Sequence, residues 1–337
     1  MGDKVVNVLV ILITAAVFVI IVAGMRAAAS IINPFLIAVF LSSLCAPLLY
    51  WLQRRGVPNG LAVAAIVLGL LVVAVLLMIF TGRSLNTLAQ QVPVYQERLT
   101  ELIAQVFDRL NDLGLDMTLS PLTEYVTPGR VMSLVSYCLS IFRALFTNMF
   151  LILLFVLFVL LETAGFPRKL QAAFPDPEGT LGHFKTMTAN VNRYMGFKAL
   201  FSLATGVSLW ILLALIGVEF AGTWGMLAFF LNFIPAIGSF IAAIPPIIWA
   251  LVQLGLPSAL ITLLAFLVVN IIIGNLLEPK FMGHRLGLSP LVVILSMIFW
   301  GWVLGPIGMV LSVPLTMIGK IALATNEDTR WIAVMLE

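Results

Sequence analysis

The sequence predicts an all-α, polytopic helical membrane protein with two re-entrant helical hairpins and an extramembrane amphipathic helical segment. Three observations carry that prediction. Of 337 residues, 62% are hydrophobic and only 10% charged, with a mean hydropathy of +1.14. A soluble domain carries about a quarter charged residues, so this chain lacks the polar side chains to coat a globule. Its apolar runs reach about 20 residues, the length that crosses the hydrocarbon core. Two of them, in the last third, are interrupted near their middle: LNFIPAIGSFIAAIPP at 231–246 and FWGWVLGPIGMVLSVP at 299–314. Lipid tolerates broken backbone only where protein or a water-filled cavity satisfies the freed amide groups. Paired interrupted segments are the sequence pointer to a transporter's solute site.

Apolar runs at 5–24, 31–52 and 61–82 read as spanning helices and make up a first region, 1–82. Lys4 before the first run and AAAS at 27–30 resemble a signal peptide, but the run of about 20 residues exceeds a signal core of about 7–15. A retained helix is expected. Asn33-Pro34 and Pro47 kink the second run or mark its entry, and QRRGVPNG at 53–60 is a short basic loop. Residues 83–130 change character. Six acids fall there (Glu97, Glu101, Asp108, Asp112, Asp116 and Glu124), with Val92, Tyr95, Leu99, Leu102, Val106 and Leu113 at helical spacing. This reads as an amphipathic helix outside the bilayer. Its stripe packs on the chain's own membrane domain or on a neighbouring subunit. A third region, 131–197, holds a helix to 163 whose membrane part is NMFLILLFVLFVLLET, then a linker with Arg168, Lys169, Lys185, Arg193 and the following Lys198. Apolar segments resume at 198–217, 222–254, 258–277 and 289–323 and form a transport unit, 198–323, ahead of a tail at 324–337.

Cytoplasmic loops carry the excess of Lys and Arg. Arg54 and Arg55 place loop 53–60 inside, which puts the N-terminus inside and the acidic 83–130 segment outside; the basic linker after 163 is inside again. Lys280 and Arg285 fall inside only if 222–254 is a hairpin turning at Asn232–Gly238. The same rule makes 289–323 a hairpin turning near Trp300–Gly308. Two cycles of helix plus hairpin, of opposite orientation, form an inverted repeat. Kinked full-length helices are the alternative.

Polar residues inside a membrane are costly and mark function by default. Asn232, Pro235, Gly238, Asn270, Asn275, Trp300, Gly305 and Pro306 are the candidate solute-binding residues. Asn232 either caps a half-helix or touches solute. Asn270 and Asn275 are five apart, not quite on one face of an α-helix. Glu278 is either a coupling carboxylate or a partner of Lys280 or Arg285. Gly301-x-x-x-Gly305 permits close backbone approach, while Trp300 and Trp302 line a pocket or anchor at the interface. Glu162 and Glu219 read as helix-end residues near headgroups.

Other classes find little support. HExxH, Walker A and GxSxG motifs are all missing, so an enzyme or an ATP-driven pump is not expected, and no cofactor is. His183 and His284 lack ligand-spaced neighbours, so no metal site is expected. Cys45 lies in an apolar run, away from any disulfide framework with Cys138. The net charge of +3 without a Lys/Arg run excludes nucleic acid as a partner and leaves membrane lipid and a small solute.

NPFLIAVFLSSLCAPLL (33–49), RRGVPNGLAV (54–63), WGMLAFFLNFIPAIGSFIAAIPPI (224–247), GNLLEPKFMGHRLGLSPLVVILSMIFWGWVLGPIGMVLSVPLT (274–316) and KIAL (320–323) resemble the autoinducer-2 exporter family. The resemblance covers most of the chain and thins out in the aqueous middle. It implies a bacterial inner-membrane exporter of the small quorum-sensing molecule autoinducer-2, a homo-oligomer, pentameric in form, with an elevator-like moving unit. Some relatives are sodium/proton antiporters, so antiport is the alternative, and a membrane scaffold is a second. The residues carried over are Asn232, Pro235, Gly238, Pro245, Pro246, Asn275, Glu278, Pro279, Gly301, Gly305, Pro306 and Pro314. Asn33 departs from the apolar residue the family pattern has before Pro34.

Overall fold

The computed structural model describes residues 2–80, 82, 87, 98, 101, 147–163, 177–282, 288–325 and 329–336. The expected amphipathic helix at 83–130 lies outside them apart from positions 83–101's isolated residues 87, 98 and 101, as do residues 131–146 and 164–176. Twelve helices are named here in chain order. They are α1 (Gly2–Ala27), α2 (Ala29–Arg54), α3 (Asn59–Phe80), α4 (Met149–Thr163), α5 (Pro177–Ile216), α6 (Ala221–Leu231), α7 (Gly238–Leu254), α8 (Leu256–Val269), α9 (Glu278–Met282), α10 (Pro290–Leu304), α11 (Pro306–Thr325) and α12 (Arg330–Met335). Between α8 and α9 the chain winds as a π-helix, Asn270–Leu277. Five described stretches are long and apolar enough to cross a membrane: Ala29–Arg54, Asn59–Phe80, Val191–Ile216, Leu256–Phe281 and Pro306–Ala324. The all-helical, polytopic membrane architecture expected from composition is therefore present.

Two boundaries differ from expectation. The amphipathic stretch to 197 and the apolar run 198–217 are a single helix, α5, of 40 residues. Nothing between them breaks a helix, because Gly196 is tolerated within one at a cost of about 1 kcal/mol. Helix α2 starts at Ala29, so Asn33-Pro34 lies inside it and does not mark its entry.

Residue contacts divide the chain into two compact units: 1–67, 150–195 and 286–337; and 68–149 with 196–285. In the first unit α10 and α11 pack against each other, and both touch α2. Val22, Val303 and Leu304 form a buried centre wrapped by Met25, Ile32, Leu36, Phe299, Trp300 and Leu315. Phe18 stacks on Phe299, with ring centroids 6.4 Å apart. Ser289 caps α10, its hydroxyl accepting the Val292 N–H at 3.3 Å, with Pro290 in the first turn. The Ser289 N–H in turn donates to the Leu336 carbonyl at 3.1 Å and ties down the C-terminal helix.

In the second unit Trp224 and Trp249 are buried, with centroids 6.1 Å apart. Gln253 clamps the corner after α5: its amide nitrogen donates to the Gly217 carbonyl at 3.2 Å and its amide oxygen accepts the Glu219 N–H at 2.9 Å. The Trp224 indole donates to the Glu219 carbonyl at 3.0 Å. Helices α5 and α6 cross at two glycines. A Cβ on Gly206 would lie 2.7 Å from the Gly225 carbonyl oxygen, and one on Gly225 would lie 2.7 Å from the Gly206 oxygen. Small residues on both helices are what lets these backbones meet.

Both interrupted stretches are broken where the sequence indicated, for different local reasons. After α6, residues 232–237 form a tight turn. The Ile237 N–H donates to the Pro235 carbonyl at 2.6 Å, with Ala236 between them at φ +59°. A positive φ at a residue with a Cβ costs about 1–2 kcal/mol. Ala236→Gly is therefore expected to raise stability by about 1 kcal/mol, against the usual penalty for glycine, seen as a higher midpoint in a thermal melt of the detergent-solubilised protein. Between α10 and α11, a single residue makes the break: Gly305, at φ +70° and ψ −153°, a region that is essentially glycine's alone. Pro306 then opens α11, where its missing N–H is not needed.

Candidate functional site

The break between α6 and α7 gathers polar side chains of the second unit. Asn232 closes α6 and is only 5% exposed. Its amide nitrogen donates to the Ser202 hydroxyl of α5 at 3.0 Å, and its amide oxygen accepts from the Ser239 hydroxyl of α7 at 3.1 Å. Asn232 is the C-cap of α6, its backbone N–H donating to the Ala228 carbonyl, but its side chain does not cap α7, which Ile237 precedes without a side-chain cap. Asn232 instead links three helices at one point. Burying polar groups costs unless they are hydrogen-bonded, and these three satisfy one another. Amide and hydroxyls all donate and accept, so a hydroxyl-bearing solute can exchange into the cluster without leaving a partner bare. Neither Ser202 nor Ser239 was singled out by sequence. Ser239 adjoins Gly238 inside the interrupted stretch; a lone serine such as Ser202 in an apolar run gives no periodic signal.

Pro235 and Gly238 build the turn itself. A Cβ on Gly238 would collide with the Leu231 carbonyl oxygen, so a glycine is required where α7 starts beside the end of α6.

Asn270 and Asn275 lie in the π-helical turns. There i→i+5 hydrogen bonding stacks residue i+5 over residue i, so the two side chains come closer to a common face than α-helical spacing allows. Asn270 is half-buried with its amide oxygen against Gly274, where a Cβ would stand only 2.8 Å away; Asn275 is exposed. Among the described residues no hydrogen bond joins either one to Asn232. The wide turns end at Leu277, just ahead of Pro279, which in a continuous α-helix would strand the carbonyl four residues earlier and clash with it. The last wide bond runs from the Glu278 N–H to the Ile273 carbonyl.

Glu278 pairs with Lys198 of α5: the ammonium donates to the carboxylate at 2.7 Å, with side chains 9% and 15% exposed. This corrects the expectation of Lys280 or Arg285 as its partner. It also removes Lys198 from the linker charges, since that side chain is buried inside a helix long enough to span. The pairing was hidden in the sequence because 80 residues separate its members.

Trp300, Gly305 and Pro306 belong to the first unit. The Trp300 indole donates to the Thr316 hydroxyl at 3.0 Å. Asn33, read in the sequence only as part of a kink or entry at Pro34, donates its amide to the Leu304 carbonyl at 3.0 Å. That carbonyl is one of the groups left over when α10 stops, so Asn33 satisfies the break from outside. Trp302 is exposed and carries the Arg26 guanidinium 4.9 Å above its ring. A charge and an indole together belong at a membrane interface or a wet cavity. The candidate residues thus fall into two groups, those around Asn232 and Glu278 and those around Gly305.

Helices long and apolar enough to span, beside two apolar stretches interrupted where polar side chains bridge the break, define a polytopic helical membrane protein of the kind that moves solutes. The chain belongs to the AI-2E transporter family: the family model described as AI-2E family transporter matches residues 9–327. It is 41% identical to the AI-2 transport protein TqsA of Escherichia coli (strain K12), over 98% of this chain and 96% of that protein. It is 36% identical to YhhT of the same organism, over 97% of this chain and 93% of the relative.

Proposed function

We propose that the protein carries a small, uncharged, hydroxyl-rich solute, autoinducer-2 in the first instance, outward across the bacterial inner membrane by an elevator-like alternating-access movement. The observation that carries this reading is the buried Asn232–Ser202–Ser239 cluster at a helix break, and the similarity to TqsA supports the choice of solute. Helix α6 has 11 residues and rises about 16 Å at 1.5 Å per residue. That is about half of a 30 Å hydrocarbon core, which supports a re-entrant α6–α7 hairpin with its tip within the membrane. Glu278, the carboxylate an antiporter reading would use, is engaged with Lys198, whereas the polar cluster at the helix break is uncharged, which favours the uncharged solute.

The test is uptake of labelled autoinducer-2 into sealed proteoliposomes, with and without imposed proton and sodium gradients. Uptake without a gradient marks a facilitator; stimulation by one gradient names the coupling ion. Asn232→Ala is expected to lower uptake on the order of tenfold, the factor for losing one buried hydrogen bond to the solute of about 1.4 kcal/mol, while the protein still assembles. Sodium/proton exchange with no autoinducer-2 uptake, or full uptake by Asn232→Ala, would sink the reading.

A further inference from the structure

The Lys198–Glu278 pair is not among the groups proposed above to bind solute, yet it lies close to the cluster that would bind one. Lys198 and Ser202 are four apart on α5, so they share one face, a turn from each other. Along α5, Ser202 lies about 22 Å and Lys198 about 28 Å from the Gly217 corner, at 1.5 Å per residue. The second distance is about one hydrocarbon thickness. With the Gly217 corner taken at one membrane boundary, this rise puts the ion pair near the other, on the aqueous side of the Asn232 cluster. Aromatic residues flank both partners in sequence and meet one another: Phe201, three residues after Lys198, has its ring 5.8 Å from that of Phe281, three residues after Glu278, and 6.4 Å from that of Phe197. Stability alone does not explain the pair, since well-packed neutral residues are often as stable as a buried ion pair or more so. The π-helical turns have a consequence here too. They set the register in which Glu278 meets Lys198, and returning one residue of that register to α geometry would swing Glu278 by about 100°.

We propose that Lys198 and Glu278 form a gate: their ion pair closes the path from the nearer aqueous phase to the Asn232–Ser202–Ser239 cluster. The idea rests on the reading of that cluster as the solute site, but its test does not use transport. In the full-length protein, Cys45 and Cys138 are replaced by alanine and Ser202→Cys is introduced as a reporter; a thiol keeps a weak acceptor for Asn232. Reconstituted vesicles are treated with a membrane-impermeant methanethiosulfonate, and the rate of modification is measured. The paired protein should label slowly. Glu278→Gln should label at least about tenfold faster, the factor that losing one charge-assisted hydrogen bond gives an opening equilibrium. Because a lone buried lysine can unfold the chain, the double variant Lys198→Met with Glu278→Gln carries the decisive comparison: it leaves no bare charge and should label as fast. The exchanged pair, Lys198→Glu with Glu278→Lys, should be slow again. A double variant as slow as the parent, or an exchanged pair as fast as the double variant, overturns the gate. Missing autoinducer-2 uptake by the protein that keeps Ser202, alongside the expected labelling of the reporter, would instead fault the choice of solute and leave the gate standing.

Discussion

Alanine at Gly238 is expected to cost the protein at least about 3 kcal/mol of stability, beyond most single overpacking changes, and with it most of the folded material recovered from the membrane. The added methyl would occupy the place of the Leu231 carbonyl oxygen, and it would stand 2.8 Å from the carbonyl carbon. These are backbone atoms, so no rotamer change relieves the overlap, and the same carbonyl already accepts the Ile234 N–H at 2.9 Å. Opening the turn would separate Asn232 from Ser239. Gly308 meets the same obstacle at the other break, where a Cβ would collide with the Trp300 carbonyl. Gly196 and Gly319 provide the contrast: both sit in helices with nothing within 4 Å of a Cβ, and alanine there should gain about 0.5–1 kcal/mol. Monodisperse yield and melting midpoint across the four variants check the prediction, and equal behaviour of all four would refute it.

Gly206→Ala and Gly225→Ala should each destabilise by about 2–3 kcal/mol and reduce solute transport as well. Each Cβ would lie 2.7 Å from the other glycine's carbonyl oxygen; the first would also press 2.8 Å from the Phe229 Cβ, and the second 2.7 Å from the Trp210 Cβ. Helices α5 and α6 must then move apart by several tenths of an ångström. The 3.0 Å bond between Ser202 and Asn232 spans this same pair of helices, one turn from the crossing. Because either methyl forces the same separation, the double variant should cost less than the two single costs combined. Additive costs, or full transport by the single variants, would show that the crossing does not hold the cluster.

Much of this was legible in the chain of letters. Apolar runs near membrane length mark the helices because every backbone amide in lipid must be satisfied within its own segment, a local constraint that leaves a local record. The breaks were legible for the same reason. Pro235, Gly238, Gly305 and Pro306 restrict or free the backbone at their own positions, and the helices stop and restart there. Asn232 stood out as a polar residue beside such a break. What surrounds these residues was not legible. Ser202 and Ser239 resemble any small residues of an apolar run until the fold sets them against Asn232. Asn33 shows no sign in sequence that the carbonyl it satisfies lies 271 residues away.

The sequence by itself determined a polytopic helical membrane protein, the positions of its two broken stretches and its family. Only the tertiary structure decided which groups meet: Asn232 with two serines, Lys198 with Glu278, Gly206 with Gly225. It also decided that eight residues ahead of Pro279 wind as a π-helix. Hydrophobic length and backbone torsion act over a few residues and can be read from neighbours. A hydrogen bond or ion pair depends on the distance between side chains, and packing alone fixes that distance when the partners lie tens or hundreds of residues apart.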